Sequence, residues 1–168
     1  MSDGLLDSNV LIAIVAEAHE HHRASLDLLA GSRRAELAVA AHSFAEAFST
    51  LTRRSDRAPF RFPPDEAWAA LQSIRSVTTL VGLTAGQTFD AIRAYAQHGG
   101  IGARLYDRLI GEAAIVHEIP AVITWNVSHM RNLFTTLTIC TPKQFLQNLT
   151  RARDSKTVQK RFRPDPDL

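Results

Sequence analysis

Gly4-Leu5-Leu6-Asp7-Ser8-Asn9-Val10-Leu11-Ile12 sets a carboxylate and two more polar residues inside an otherwise apolar run. Leu5 to Asp7 read as a short buried strand, and Val10 onward as a helix that follows almost at once. Asp7 falls at the joint. Burying an ionised side chain costs on the order of several kcal/mol unless it is paired or bound to a cation, so its place needs a reason. One reason is local, because an aspartate before a helix can accept from its free amides. The other is a shared site, in which Asp7 is one member of a set.

Outward from this stretch, short apolar runs alternate with longer amphipathic ones, the pattern of an α/β domain with a mostly parallel sheet. Strands are expected at residues 5–7, 36–40, 77–83, 120–124 and 137–140. Helices are expected at 10–18, 20–29, 42–53, 64–74, 84–97, 103–117 and 142–149. Pro64 suits a first helical turn, Thr84 an N-cap, and Gly99-Gly100 a helix stop. Residues 55–64, with Pro59, Pro63, Pro64 and arginines, read as an irregular loop. No repeat or linker interrupts the pattern, so residues 1–150 are expected to form a single domain.

With 168 residues the chain can bury a real core without disulfides or structural zinc. The single Cys140 rules out an internal disulfide framework and a multi-cysteine zinc site. No apolar run approaches the roughly 18 residues of a membrane span, and nothing at the N-terminus resembles a signal peptide, so a cytoplasmic protein is expected. Residues 151–168 carry six Lys/Arg against three Asp, a surplus of three that leaves −1 for the first 150 residues out of the formal +2. The body is therefore not a basic module that grips nucleic acid by charge alone. The tail, ending Pro-Asp-Pro-Asp-Leu, reads as a basic disordered segment.

Glu46, Asp107 and Asn126 fall, like Asp7, at strand ends or helix starts. In open parallel sheets ligands bind beyond the carboxyl ends of the strands, where Asp7 and Asn126 both lie. Each member also has a local explanation. Ser43-Phe44-Ala45-Glu46 matches the S-x-x-E capping box, and Asp107 can answer a helix dipole or pair with Arg104 and Arg108. The recurrence of all four at comparable places favours a shared acidic cleft over four separate caps.

Four segments in order carry a resemblance: Leu5-Leu6-Asp7-Ser8-Asn9-Val10-Leu11, Ser43-Phe44-Ala45-Glu46, Tyr106-Asp107-Arg108-Leu109-Ile110-Gly111, and Ile123-Thr124-Trp125-Asn126-Val127-Ser128-His129-Met130. Together they resemble the motifs of PIN-domain ribonucleases, most closely the VapC-type toxins of type II toxin–antitoxin systems, over residues 4–149. The resemblance implies a three-layer α/β/α fold with a central sheet of about five strands. It also implies a pocket in which Asp7, Glu46 and Asp107 hold Mg²⁺ or Mn²⁺, with Asn126 in the fourth position. Relatives carry Asp or Asn at that position, and the neutral amide weakens any second ion site. Asn9 and Thr124 match the polar positions that support the acids. Glu112 either adds a ligand or points to solvent.

The implied activity is hydrolysis of RNA phosphodiesters, with hard oxygen ligands suited to such ions. The implied partners are RNA, a small VapB-like antitoxin that blocks the pocket, and a second copy of the chain. Arg53, Arg54, Arg57 and Arg61, interleaved with Phe60 and Phe62, are candidates for RNA contact. His129 is another, or else it caps a helical turn. Trp125 gates the pocket or packs beneath it, and His19, His21 and His22 read as a solvated face.

Three other functions compete. A stand-alone PIN nuclease of RNA maturation shares every motif. A haloacid-dehalogenase-like phosphatase needs a second aspartate where this chain has Asn9, and a body lysine for which only Lys143 is available. A degenerate PIN binding module has no need to retain Asp7, Glu46 and Asp107.

Overall fold

The structure is a computed structural model that describes residues 2–32, 36–55 and 58–161, the last eight as backbone only. Five strands, β1 (Gly4–Leu6), β2 (Leu37–Ala40), β3 (Thr79–Val81), β4 (Ala121–Ile123) and β5 (Thr138–Cys140), form one sheet in the order β3-β2-β1-β4-β5. All four pairings are parallel. Eight helices connect and flank them among the described residues: α1 (Ser8–Val15), α2 (His22–Gly31), α3 (Ala41–Leu51), α4 (Pro64–Ser76), α5 (Ala85–Gln97), α6 (Arg104–Val116), α7 (Val127–Leu133) and α8 (Pro142–Arg161).

Strand alternation divides the core into two layers. Leu6, Leu37, Val39, Ala121, Ile123 and Cys140 face one way, against Val10, Leu11 and Ile14 of α1, Leu28 of α2, Leu51 of α3, Leu71 of α4 and Phe145 of α8. Leu5, Ala38, Ala40, Val122 and Ile139 face the other way, against Ile110, Ala113 and Ala114 of α6 and Met130 of α7. Both faces of β1, β2 and β4 are covered, so these strands are apolar throughout rather than alternating. The result is the α/β/α sandwich expected, with a wholly parallel sheet.

Several element ends differ from expectation for local reasons. Helix α1 stops at Val15, where Ala16 takes an extended conformation. Strand β3 keeps only three residues of the stretch 77–83, since an exposed edge has one neighbour to pair with. Helix α7, seven residues long, was not anticipated. Helix α8 continues to Arg161 rather than ending near Leu149, and Arg153 on it donates to both Glu36 carboxylate oxygens at 2.8 and 2.6 Å. Helix α5 has the Thr84–Gln87 capping box and ends at Gln97, two residues before Gly99, whose φ of 73° suits a glycine after the C-cap.

Candidate active site

The chain leaves β1 for β2 on one side and later returns to place β4 on the other, so the connections diverge at the carboxyl ends of β1 and β4. That divergence opens a crevice in doubly wound sheets. Register carries the chemistry into it. Leu6 pairs with Ile123, so the next residues, Asp7 and Thr124, emerge side by side, and the Asp7 amide donates to the Ile123 carbonyl at 3.0 Å.

Asp7 is only 2% exposed. It occupies the N-cap position of α1, yet its side chain makes no capping bond. Instead, Oδ2 accepts from Thr124 Oγ1 at 2.6 Å and from Asn9 Nδ2 at 2.6 Å, while Oδ1 faces Ser8 Oγ at 3.3 Å. Asn9 Nδ2 also lies 2.9 Å from Thr124 Oγ1, and that oxygen accepts from the Asn126 amide at 2.9 Å. Thr124 therefore holds the end of β1, the end of β4 and the start of α7 around one carboxylate. Burial still pushes the Asp7 pKa up despite these donors.

The capping-box reading of Glu46 fails. Helix α3 begins at Ala41 with Ala40 at its N-cap, so Ser43 lies within the first turn and is buried. Glu46 is thus released from a capping role. Its pKa is raised by burial and by the Asp7 charge, and a hydrogen bond from Ser8 works the other way. Ser8 therefore stands between Asp7 and Glu46, and its single hydroxyl proton goes to one carboxylate or the other. The sequence reading missed this, although a hydroxyl directly after the aspartate at a helix start was the available signal.

Asp107 stands in the first turn of α6. Burial, then the Asp7 and Glu46 charges, push its pKa up to about 6 against the opposing pull of His129 and Arg104. His129 Nδ1 lies 3.1 Å from Asp107 Oδ2 and 3.0 Å from the Asn126 side-chain nitrogen. One ring nitrogen cannot donate to a carboxylate and accept from an amide together. Donation to the charged Asp107 is the stronger bond, and exchanging the Asn126 amide atoms makes the two contacts compatible. His129 thus closes on Asp107 from within α7. Glu112 forms an ion pair with Arg108.

Hard carboxylate oxygens that raise one another's pKa values are a donor set suited to Mg²⁺ or Mn²⁺, because a cation relieves the repulsion. Among the described residues, no three His, Cys, Asp or Glu side chains converge tightly enough to share one ion as they stand. The donor chemistry fits a divalent cation, although the side chains do not form a closed cage.

Of the basic candidates, Arg54 and Arg61 line a cleft of about 310 Å³ with Ser55, Phe62 and Pro63, and Arg61 donates to the Ser55 carbonyl at 2.9 Å. Arg53 is exposed nearby, and Arg57 lies outside the described residues. Trp125 packs against the core on the α1 side, its indole nitrogen donating to Ser25 Oγ at 3.0 Å.

A PIN-domain family profile matches residues 4–127, and the chain belongs to the PIN-domain family. The fold recurs in solved structures of low sequence identity. A VapC20 toxin from Mycobacterium tuberculosis, described as cleaving the sarcin–ricin loop, matches with a TM-score of 0.61 and 17% identity, over 80% of this chain and 98% of that one. VapBC2 from Rickettsia felis, bound to a promoter DNA fragment, gives 0.55 and 19% over 81% and 96%. A toxin–antitoxin complex from Klebsiella pneumoniae gives 0.56 and 14% over 83% and 97%. No curated protein matches the chain. No helix among the described residues is long and apolar enough to cross a membrane.

Proposed function

We propose that the chain is a metal-dependent endoribonuclease, the toxin of a toxin–antitoxin pair. It acts in the cytoplasm as a homodimer and is held inactive by a cognate VapB-like antitoxin. The observation that carries this reading is Asp7, nearly inaccessible and oriented by Thr124 and Asn9 beside two more carboxylates. The toxin role draws its support from the VapC and toxin–antitoxin structures that share the fold.

Asp7, Asp107 and Glu46 would hold Mg²⁺ or Mn²⁺, with Asn126 at the open side of the crevice. A divalent ion held there supplies the positive charge that attack of water on an anionic phosphodiester requires. The protein's own part is positioning. Thr124 and Asn9 fix the Asp7 carboxylate, Ser8 lies between it and Glu46 with one proton to give to either, and His129 fixes Asp107. Glu46, with its pKa raised, is placed to take a proton from the attacking water.

Incubation of the purified chain with total RNA tests the reading. Cleavage is expected with Mg²⁺ or Mn²⁺ and not with EDTA, and is expected to fall to background in Asp7→Asn and Asp107→Asn. Equal cleavage by wild type and both variants would overturn the site. Growth arrest on expression, relieved by the same substitutions, separates a toxin from a maturation nuclease.

A further inference from the structure

The histidines before α2 are not the solvated face expected of them. His21 stacks on Trp125 with ring centroids 3.9 Å apart and planes 21° from parallel. His19 follows at 5.5 Å from His21, tilted 45° to it rather than stacked, and Phe60 at 5.9 Å from His19 with planes 24° from parallel. Four rings thus form one row, from the carboxyl end of β4 to the loop before α4. His22 stands apart, its Nδ1 2.9 Å from the Ala13 carbonyl.

The row is tied to the acidic site. The Trp125 amide donates to Asn9 Oδ1 at 3.1 Å, and the same Asn9 side chain donates to Asp7. Each ring is half-buried, and Phe60 and Trp125 rest on the core while keeping solvent-facing edges. The His21 amide donates to His19 Nδ1 at 3.1 Å, and burial, with the neighbouring His21, lowers the His19 pKa. The far end is basic, because Arg61 follows Phe60 and joins Arg54 in lining the adjoining cleft.

We propose that this row is a stacking track for unpaired bases flanking the scissile phosphate of a single-stranded RNA, with Arg54 and Arg61 meeting the backbone at its outer end. The proposal rests on the nuclease reading for the class of substrate. Rings that continue outward from a phosphate-cleaving site offer π-faces to bases of any identity, and cationic side chains beside them track the backbone. Bases within a duplex are already stacked and paired, so the track selects single strands, loops and bulges. The tight His21–Trp125 pair is its closed inner end, and the looser His19–Phe60 pair is where a base enters.

Fluorescence anisotropy with a labelled oligoribonucleotide of about eight nucleotides, in EDTA to prevent cleavage, tests the track. The wild type is expected to bind the single strand in preference to a hairpin duplex of the same sequence. His19→Ala and His21→Ala are each expected to weaken single-strand binding about tenfold, and His19→Phe, which keeps a ring, to retain it. In a Trp68→Phe background, binding is expected to quench Trp125 emission. Ring-less variants that melt like wild type and bind equally well would overturn the proposal, as would a wild-type preference for duplex. Hydrolysis of a small phosphodiester by the wild type in Mg²⁺ tests the nuclease reading independently. Hydrolysis with unaffected RNA binding in the variants removes the track alone, whereas track-dependent binding without hydrolysis supports the track and removes the nuclease.

Discussion

Asp7 accepts two bonds at 2.6 Å and its carboxyl still titrates upward, because burial outweighs those donors. Thr124 is the central donor. Thr124→Val keeps its shape but deprives Asp7, Asn9 and the Asn126 amide of a partner, so chemical denaturation should show a loss of about 1–3 kcal/mol. RNA cleavage should fall with it. Asp107, shifted in the same direction, gives a pH signature. Its pKa near 6, above the ordinary 3.8, means that the folded chain holds more protons than the unfolded chain between those values. Stability therefore falls as pH rises through that window, and the penalty is complete above about pH 6. In metal-free buffer Asp107→Asn should be stabilising by about 1–2 kcal/mol near pH 8 and by little near pH 4, read as melting temperatures across pH. Asp7 stands out in the sequence because a carboxylate among apolar residues needs a reason, whereas Asp107, with Arg104 and Arg108 beside it, has a local explanation and stands out only through the order of the motifs. Glu46 was ambiguous because a serine and a glutamate three residues apart look alike whether the serine precedes the helix or lies in its first turn.

Elements were legible where both faces are buried. Strands β1, β2 and β4 fall within a residue or two of their apolar runs, since a strand covered on two sides has to be apolar throughout. Helix α7 left little trace, because seven residues with Met130 alone fully buried make no readable stripe. Two backbone details in α6 are open to test. A Cβ on Gly111 would run into the Phe134 ring, so Gly111→Ala should destabilise by about 1–3 kcal/mol, and Phe134→Leu should recover part of the loss in the double variant. Helix α6 ends in a Schellman turn, with Glu118 and Ile119 amides donating to the Ile115 and Ala114 carbonyls, but Glu118 holds a φ of 53°. Glu118→Gly should raise stability by about 1 kcal/mol without changing cleavage.

For the whole molecule, linkage between ion binding and folding gives a test independent of catalysis. A cation held by the folded site and not by the unfolded chain stabilises by mass action, by about 2.7 kcal/mol at a hundred times its dissociation constant. Addition of Mg²⁺ or Mn²⁺ should raise the wild-type melting temperature and leave Asp7→Asn nearly unmoved, as followed by circular dichroism. The composition gave no hint of this site, because its members are scattered and the net charge of the body is small. What assembles them is the strand order, with β1 seated between β2 and β4.

That order also has a consequence for synthesis. The bond from Thr124 to Asp7 spans 117 residues. A ribosome exposes Asp7 and Glu46 well before it exposes Thr124, with Asp107 following late in the chain, and strand β1 lacks its β4 neighbour until then. Contacts so distant in sequence form late, once the intervening loop has closed. The growing polypeptide therefore carries its acidic residues without a finished cleft, and truncated products ending before β4 should be harmless to the RNA around them.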